Sequence, residues 1–168
     1  MKQMDLFGVS PDVAKKEVVA WQLFIDGASK NNPGPAGSGF VLIKNKEIVC
    51  EQGFYLGKKT NNQAEYYALV IGIFFAQKYV QKNELLTIFS DSQLLVRQMI
   101  GVYKVKDAQL AQLKNLAQLW LQGQRYTMQH VLREHNQLAD AMANRGVEKK
   151  ISVPQDFLQS LQPHAIIF

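Results

Sequence analysis

The feature that most constrains this chain is a carboxylate placed directly after an apolar run. Residues 18–25, rich in Val, Phe and Ile, read as a buried strand. The run stops at Asp26, and small, polar and breaker residues follow from Gly27 to Gly37, a predicted turn. A carboxylate at the end of a central strand is costly to bury unless it is paired, hydrogen-bonded or bound to a metal. The Gly, Asn and Pro residues after it let the backbone come close to a ligand. What the rest of the chain must decide is whether more carboxylates arrive at the same place.

The elements that follow supply them. Short spacings predict an antiparallel meander of three strands, 18–25, 38–43 and 48–55, with a loop over 57–59. Thr60-Asn61-Asn62-Gln63 has the form of a capping box and opens a helix to about residue 79. Its apolar residues cover more than half its circumference, and Glu65 is set among them. Strand four, 85–89, ends at Ser90-Asp91-Ser92, and helices are expected over 93–100 and 107–121. Strand five covers 126–132, with His130 in a structural role. Asn136 is a good N-cap for a helix to about residue 145, with Asp140 one turn in. The expected fold class is α/β, a five-stranded mixed sheet flanked by helices. The expected organisation is a tail (1–17), one domain (18–146) and a less regular extension (147–168), with a short helix at 154–161.

Four carboxylates thus fall at element ends or on facing helices: Asp26, Glu65, Asp91 and Asp140. Each alone has an ordinary reading as a turn residue, a cap, a surface ion-pair partner or a helix N-terminal charge; the case rests on the set. In an open α/β sheet, ligands bind at the carboxyl ends of the strands. If strands one and four are neighbours, Asp26 and Asp91 stand side by side. Like charges that close are tolerated when a divalent cation lies between them. A donor set of oxygens only points to Mg²⁺ or Mn²⁺ rather than zinc. Two such ions about 3.5–4 Å apart clamp the attacking and leaving oxygens of a phosphodiester displacement.

Composition narrows the class. A net charge of +5 agrees with a polyanionic partner. The single cysteine, Cys50, rules out an intrachain disulfide or a Cys-based zinc site. The N-terminus carries no apolar core of signal-peptide length, and the longest apolar run, 68–76, is shorter than the ~20 residues of a membrane helix. The expectation is a soluble, cytoplasmic monomer with no membrane partner.

The segments 26–40 (Asp-Gly-Ala-Ser-Lys-Asn-Asn-Pro-Gly-Pro-Ala-Gly-Ser-Gly-Phe), 60–66 (Thr-Asn-Asn-Gln-Ala-Glu-Tyr), 90–92 (Ser-Asp-Ser) and 133–140 (Arg-Glu-His-Asn-Gln-Leu-Ala-Asp) resemble, in order and spacing, the four signature segments of type 1 ribonuclease H. The resemblance implies hydrolysis of the RNA strand of an RNA–DNA hybrid, leaving 5′-phosphate and 3′-hydroxyl ends. It implies two Mg²⁺ ions, with Mn²⁺ as a substitute, on Asp26, Glu65, Asp91 and Asp140, Asp26 being shared. It further implies that Asn31, Asn32, Asn61 and Asn62 read the hybrid's minor groove, and that Lys58 and Thr60 hold a DNA-strand phosphate. Tyr103 and Asn136 are counted with the substrate contacts. His135, or Glu134 beside it, is expected to help in proton transfer or product release. The segment after the third carboxylate is short, with only Lys104 and Lys106 flanking Val105, and looks like the compact variants that lack a basic protrusion.

The tail resembles something else. Gln3-Met4-Asp5-Leu6-Phe7 is similar to the peptide with which bacterial replication proteins dock on the sliding clamp, through Gln3, Leu6 and Phe7. Two further readings stay open: a non-catalytic hybrid-binding or clamp-associated module, and another nuclease or transposase of the same fold.

Overall fold

The structure, a computed structural model, describes residues 19–168. Gln3, Leu6 and Phe7 lie outside the described residues. One sheet of five strands has the order β3-β2-β1-β4-β5. β1 (Ala20–Ser29), β2 (Gly34–Lys44) and β3 (Glu47–Lys59) form the antiparallel meander. β4 (Leu85–Ser90) runs parallel to β1, and β5 (Arg125–His130) parallel to β4. The expected five-stranded mixed sheet is therefore present.

The strands of the meander are longer than local composition suggests. Residues 27–29 and 34–37, expected in a turn, are paired: Gly27 with Ser38, Ala28 with Gly37, Ser29 with Ala36. Residues 57–59, expected as a loop, belong to β3, where Lys58 faces Pro35 and Lys59 faces Gly34. An adjacent strand satisfies backbone groups that would otherwise need water, and this overrides the weak strand preference of Gly, Ser and Lys. At the other edge β5 stops at His130, short of the expected 132.

The two-residue side-chain period of a strand assigns the two faces. Leu23 and Ile25 of β1 and Phe40 and Leu42 of β2 are buried under α1 (Asn61–Ala76). The capping box is formed: Thr60 Oγ1 accepts from the Gln63 N–H at 3.2 Å, and Gln63 Oε1 accepts from the Thr60 N–H at 2.9 Å. Nearly every residue of α1 beyond its first turn is buried, because α3 (Ala108–Trp120) covers its outer side with Leu110, Leu113, Leu116 and Ala117. α2 (Gln93–Met99) follows β4 and is capped by Ser92.

The opposite face holds α4 (Gln137–Lys149). It lies on two sheet glycines, where a Cβ on Gly39 would overlap the Ala139 carbonyl and one on Gly53 the Met142 carbonyl, and from the helix side a Cβ on Gly146 would overlap the Phe54 backbone. Residues 147–168 are no appendage to the core. In α5 (Gln155–Leu161) Phe157 is 0% and Leu161 1% exposed, and Phe157 packs edge-on to Phe74 at 5.4 Å. The Tyr55 N–H donates to the Ile151 carbonyl at 2.7 Å, so the extension also runs along the β3 edge. Among the described residues no helix is long and apolar enough to cross a membrane.

Candidate active site

The parallel ladder between β1 and β4 ends with the pair Ile25 and Ser90. The next residues, Asp26 and Asp91, emerge side by side beyond it. Asp26 does not end its strand, since β1 continues along β2; it ends only the part of β1 that β4 covers. Glu65 comes from the second turn of α1. Its approach depends on Gly27, where any Cβ would overlap the Ala64 carbonyl carbon and the Glu65 nitrogen. The Gly27 N–H donates to Glu65 Oε2 at 3.2 Å. One carboxylate oxygen each from Asp26, Glu65 and Asp91 lies within 4.8 Å of the others.

These acids form the floor of a groove of about 680 Å³. Asp140 enters the same groove from α4, Asn61 and Asn62 from the N-terminus of α1, and Arg133 and Glu134 from the turn before α4. Asp26 is 5% exposed. Burial, then the negative fields of Glu65 and Asp91 and its contact with Asp140, hold its carboxyl far above the usual carboxylate range. Burial and Asp91 raise Glu65 as well, against the lowering effect of the Gly27 N–H and the Arg133 guanidinium. Three oxygen donors, one on β1, one just past the end of β4 and one on α1, repelling one another in a groove open to solvent, fit a hard divalent cation.

The other expected site residues divide into those at the groove and those away from it. Asn32 Oδ1 accepts from the Asn61 N–H at 3.0 Å, and Asn61 Oδ1 accepts from the Ser29 N–H at 3.2 Å. The β1–β2 turn and the α1 N-terminus are thus stitched together at the groove's rim. Asn31 and Lys58 are exposed beside that turn, and the Thr60 hydroxyl is engaged as a cap. Tyr103 lies under the Arg97 guanidinium, 5.2 Å from the ring centroid, and does not line the groove.

Asn136 differs from expectation in two ways. It makes no side-chain cap, and at 1% exposure it is sealed from the groove. Its Nδ2 instead donates to the Ile25 carbonyl at 2.9 Å, bolting the start of α4 to the strand that carries Asp26. His135 also points away from the acids. In the three-residue 3₁₀ turn Arg133–His135, Arg133 and Glu134 line the acidic groove. His135 lines a hollow with Phe24, Val41 and Ile43 and pairs with Glu134 at 3.6 Å. His130, at the end of β5, contacts the Asp91 carbonyl through Nε2 at 3.2 Å, in agreement with a structural role.

The residue that motif reasoning passed over is Arg133. Its Nε lies 3.9 Å from Asp91 Oδ2, a cation beside the acids. A cation in the loop that precedes the fourth carboxylate is the signal that points to it.

Comparison with known proteins agrees with this geometry. Residues 24–146 match the family described as reverse transcriptase-like. A ribonuclease HI of Halobacterium salinarum is 37% identical over 127 residues, which are 74% of this chain and 63% of that protein. A ribonuclease H of Polynucleobacter asymbioticus is 32% identical over 145 residues, 76% of this chain and 89% of that protein. Among solved structures, LC11 ribonuclease H1 in complex with an RNA/DNA hybrid is 34% identical with a TM-score of 0.73, over 77% of this chain and 97% of that one. The chain thus spans just under two thirds of the Halobacterium relative and most of the other two. On the family match over residues 24–146, the shared fold and the overall identity to these relatives, this chain belongs to the reverse transcriptase-like family with the ribonuclease H fold.

Proposed function

We propose that this chain is a type 1 ribonuclease H, an endonuclease that hydrolyses the RNA strand of RNA–DNA hybrids and leaves 5′-phosphate and 3′-hydroxyl ends. The observation that carries the reading is the convergence of Asp26, Glu65 and Asp91 within 4.8 Å at the floor of an open groove. The hybrid bound to the similar LC11 enzyme supports the choice of substrate.

Asp26, Glu65, Asp91 and Asp140 would hold two Mg²⁺ ions, with Mn²⁺ as a substitute. Such ions, when bound, activate water and neutralise charge on the phosphate oxygens. The protein's part is to set four carboxylates on β1, α1, the end of β4 and α4 before substrate arrives. Asn61 and Asn62 face the groove with donors and acceptors suited to 2′-hydroxyls, the group that separates RNA from DNA. Asn31 and Asn32 extend that rim, and Lys58 with Thr60 would hold a DNA-strand phosphate. Arg133 can meet a phosphate with two parallel N–H donors. Glu134 lines the acidic groove and His135 does not, so Glu134 is the better placed of the two to take or give a proton.

The test is cleavage of an end-labelled RNA strand paired with DNA, against RNA–RNA and DNA–DNA duplexes, with Mg²⁺, Mn²⁺ or EDTA. The expected result is metal-dependent cutting of the hybrid alone. Asp91→Asn should lower turnover by orders of magnitude with the fold intact. No cutting by folded protein that still binds hybrid would favour the non-catalytic binding module.

The N-terminal peptide belongs to the same proposal as a docking segment for a sliding clamp. Burial of Leu6 and Phe7 would supply roughly 3–6 kcal/mol before ordering costs, enough for a weak tether. Clamp binding that is unchanged in a Leu6→Ala, Phe7→Ala variant would remove this part of the reading.

A further inference from the structure

Asp140 is the one of the four acids outside the close group of three, and it reaches the groove from an exposed position on α4. Asn144 stands one turn further along α4, on the same face. Its Nδ2 donates to Asp140 Oδ1 at 3.1 Å and to the Asp140 carbonyl at 3.0 Å. Its Oδ1 accepts from Lys30 Nζ at 3.0 Å, across 114 residues of chain. These neighbours decide which way the carboxamide faces. An ammonium only donates and a carboxylate only accepts, so the oxygen must face Lys30 and the NH₂ must face Asp140. Lys30 is itself placed by its backbone, whose N–H donates to the Pro35 carbonyl at 2.9 Å. It sits four residues after Asp26, in the turn that leads to Asn31 and Asn32.

We propose that Asn144 is a positioning residue for Asp140, anchored by Lys30, so that the first and fourth carboxylates are set relative to each other through the tie Lys30–Asn144–Asp140. The proposal rests on the reading of Asp140 as a metal ligand. A carboxylate on an exposed helix face turns among rotamers, and each must be given up when a cation binds. The Asn144 N–H bond restricts that choice beforehand. Partners of metal-binding side chains commonly contribute in this way, and their loss weakens metal affinity or activity by about 10–100-fold.

The decisive experiment is a calorimetric titration of Mn²⁺ into the folded full-length chain without nucleic acid, for the parent, Asn144→Ala, Lys30→Ala and the double variant. Ala is a better helix former than Asn, so Asn144→Ala should keep its unfolding midpoint. The expected result is about 10-fold weaker Mn²⁺ binding in Asn144→Ala. Lys30→Ala should lose less. The double variant should bind no more weakly than Asn144→Ala, because Lys30 acts only through the carboxamide. Hybrid affinity of Asn144→Ala in EDTA should equal the parent's.

Mn²⁺ affinity equal to the parent's in Asn144→Ala, or losses that add in the double variant, would overturn the proposal. A matching loss of hybrid affinity in EDTA would also overturn it and make Asn144 a substrate contact. Failure of the functional reading shows elsewhere: a parent that binds Mn²⁺ but cuts no hybrid refutes the nuclease and leaves this titration valid. A parent that binds no Mn²⁺ refutes the metal site before any variant is compared.

Discussion

Among the described residues Asp26 stands out electrostatically, buried and facing Glu65, Asp91 and Asp140. Its carboxyl, raised by burial and by those acids, keeps its proton in the metal-free folded state at pH values where the unfolded chain has lost it. An unfolded Asp titrates near 3.9. The stabilising contribution of that retained proton is therefore complete below about pH 4 and lost as pH rises through the higher folded value. In EDTA, the unfolding midpoint of the parent should fall relative to Asp26→Asn as pH is raised from 5 to 9, since the amide does not titrate. A saturating divalent cation should close the gap, because it binds the ionised parent and leaves the variant short of a ligand. Thermal unfolding followed by circular dichroism at several pH values checks this; parallel curves in EDTA would mean that Asp26 ionises normally.

At the scale of elements, the site depends on how closely α1 and α4 lie against the sheet. Both approaches are set by glycine: Gly27 under α1, and Gly39 and Gly53 under α4. Gly53→Ala has no room, since the new Cβ would overlap the Met142 carbonyl. Overpacking of this kind typically costs about 1–3 kcal/mol. The strain should move α4, and with it Asp140, so turnover should fall further than stability alone explains. Urea unfolding beside hybrid cleavage measures both; full turnover with full stability would show that the helix needs no such close approach. α1 was legible because its start signal is local, Thr60 and Gln63 three residues apart on one chain segment. The role of Asn136 was not, because its partner, the Ile25 carbonyl, lies 111 residues away.

For the whole molecule, one core joins the family domain to residues beyond it. Phe157 lies outside the matched residues 24–146, yet it is fully buried among Phe74, Trp120 and Phe168. Phe157→Ala should cost about 3–5 kcal/mol, as for other large aromatic truncations in cores. Unfolding should remain a single transition, since α5 and α1 share that core. A loss below 1 kcal/mol, read from urea unfolding, would mean that the C-terminal segment docks only loosely.

The sequence by itself determined the order of strands and helices, the α1 cap and the identity of the acids, because these depend on side-chain period, breakers and motif spacing within short windows. It also carried the fold class, through strands too close in sequence to do anything but pair. Only the tertiary structure decided that Asp26 lies within a strand rather than at its end. It also turned His135 and Tyr103 away from the acids, gave Asn136 to the Ile25 carbonyl, and brought Arg133, Lys30 and Asn144 beside the carboxylates. Each of these depends on a partner strand, a close backbone contact or a hydrogen bond across many residues of chain. Nothing in a local window records which distant group will satisfy a polar atom.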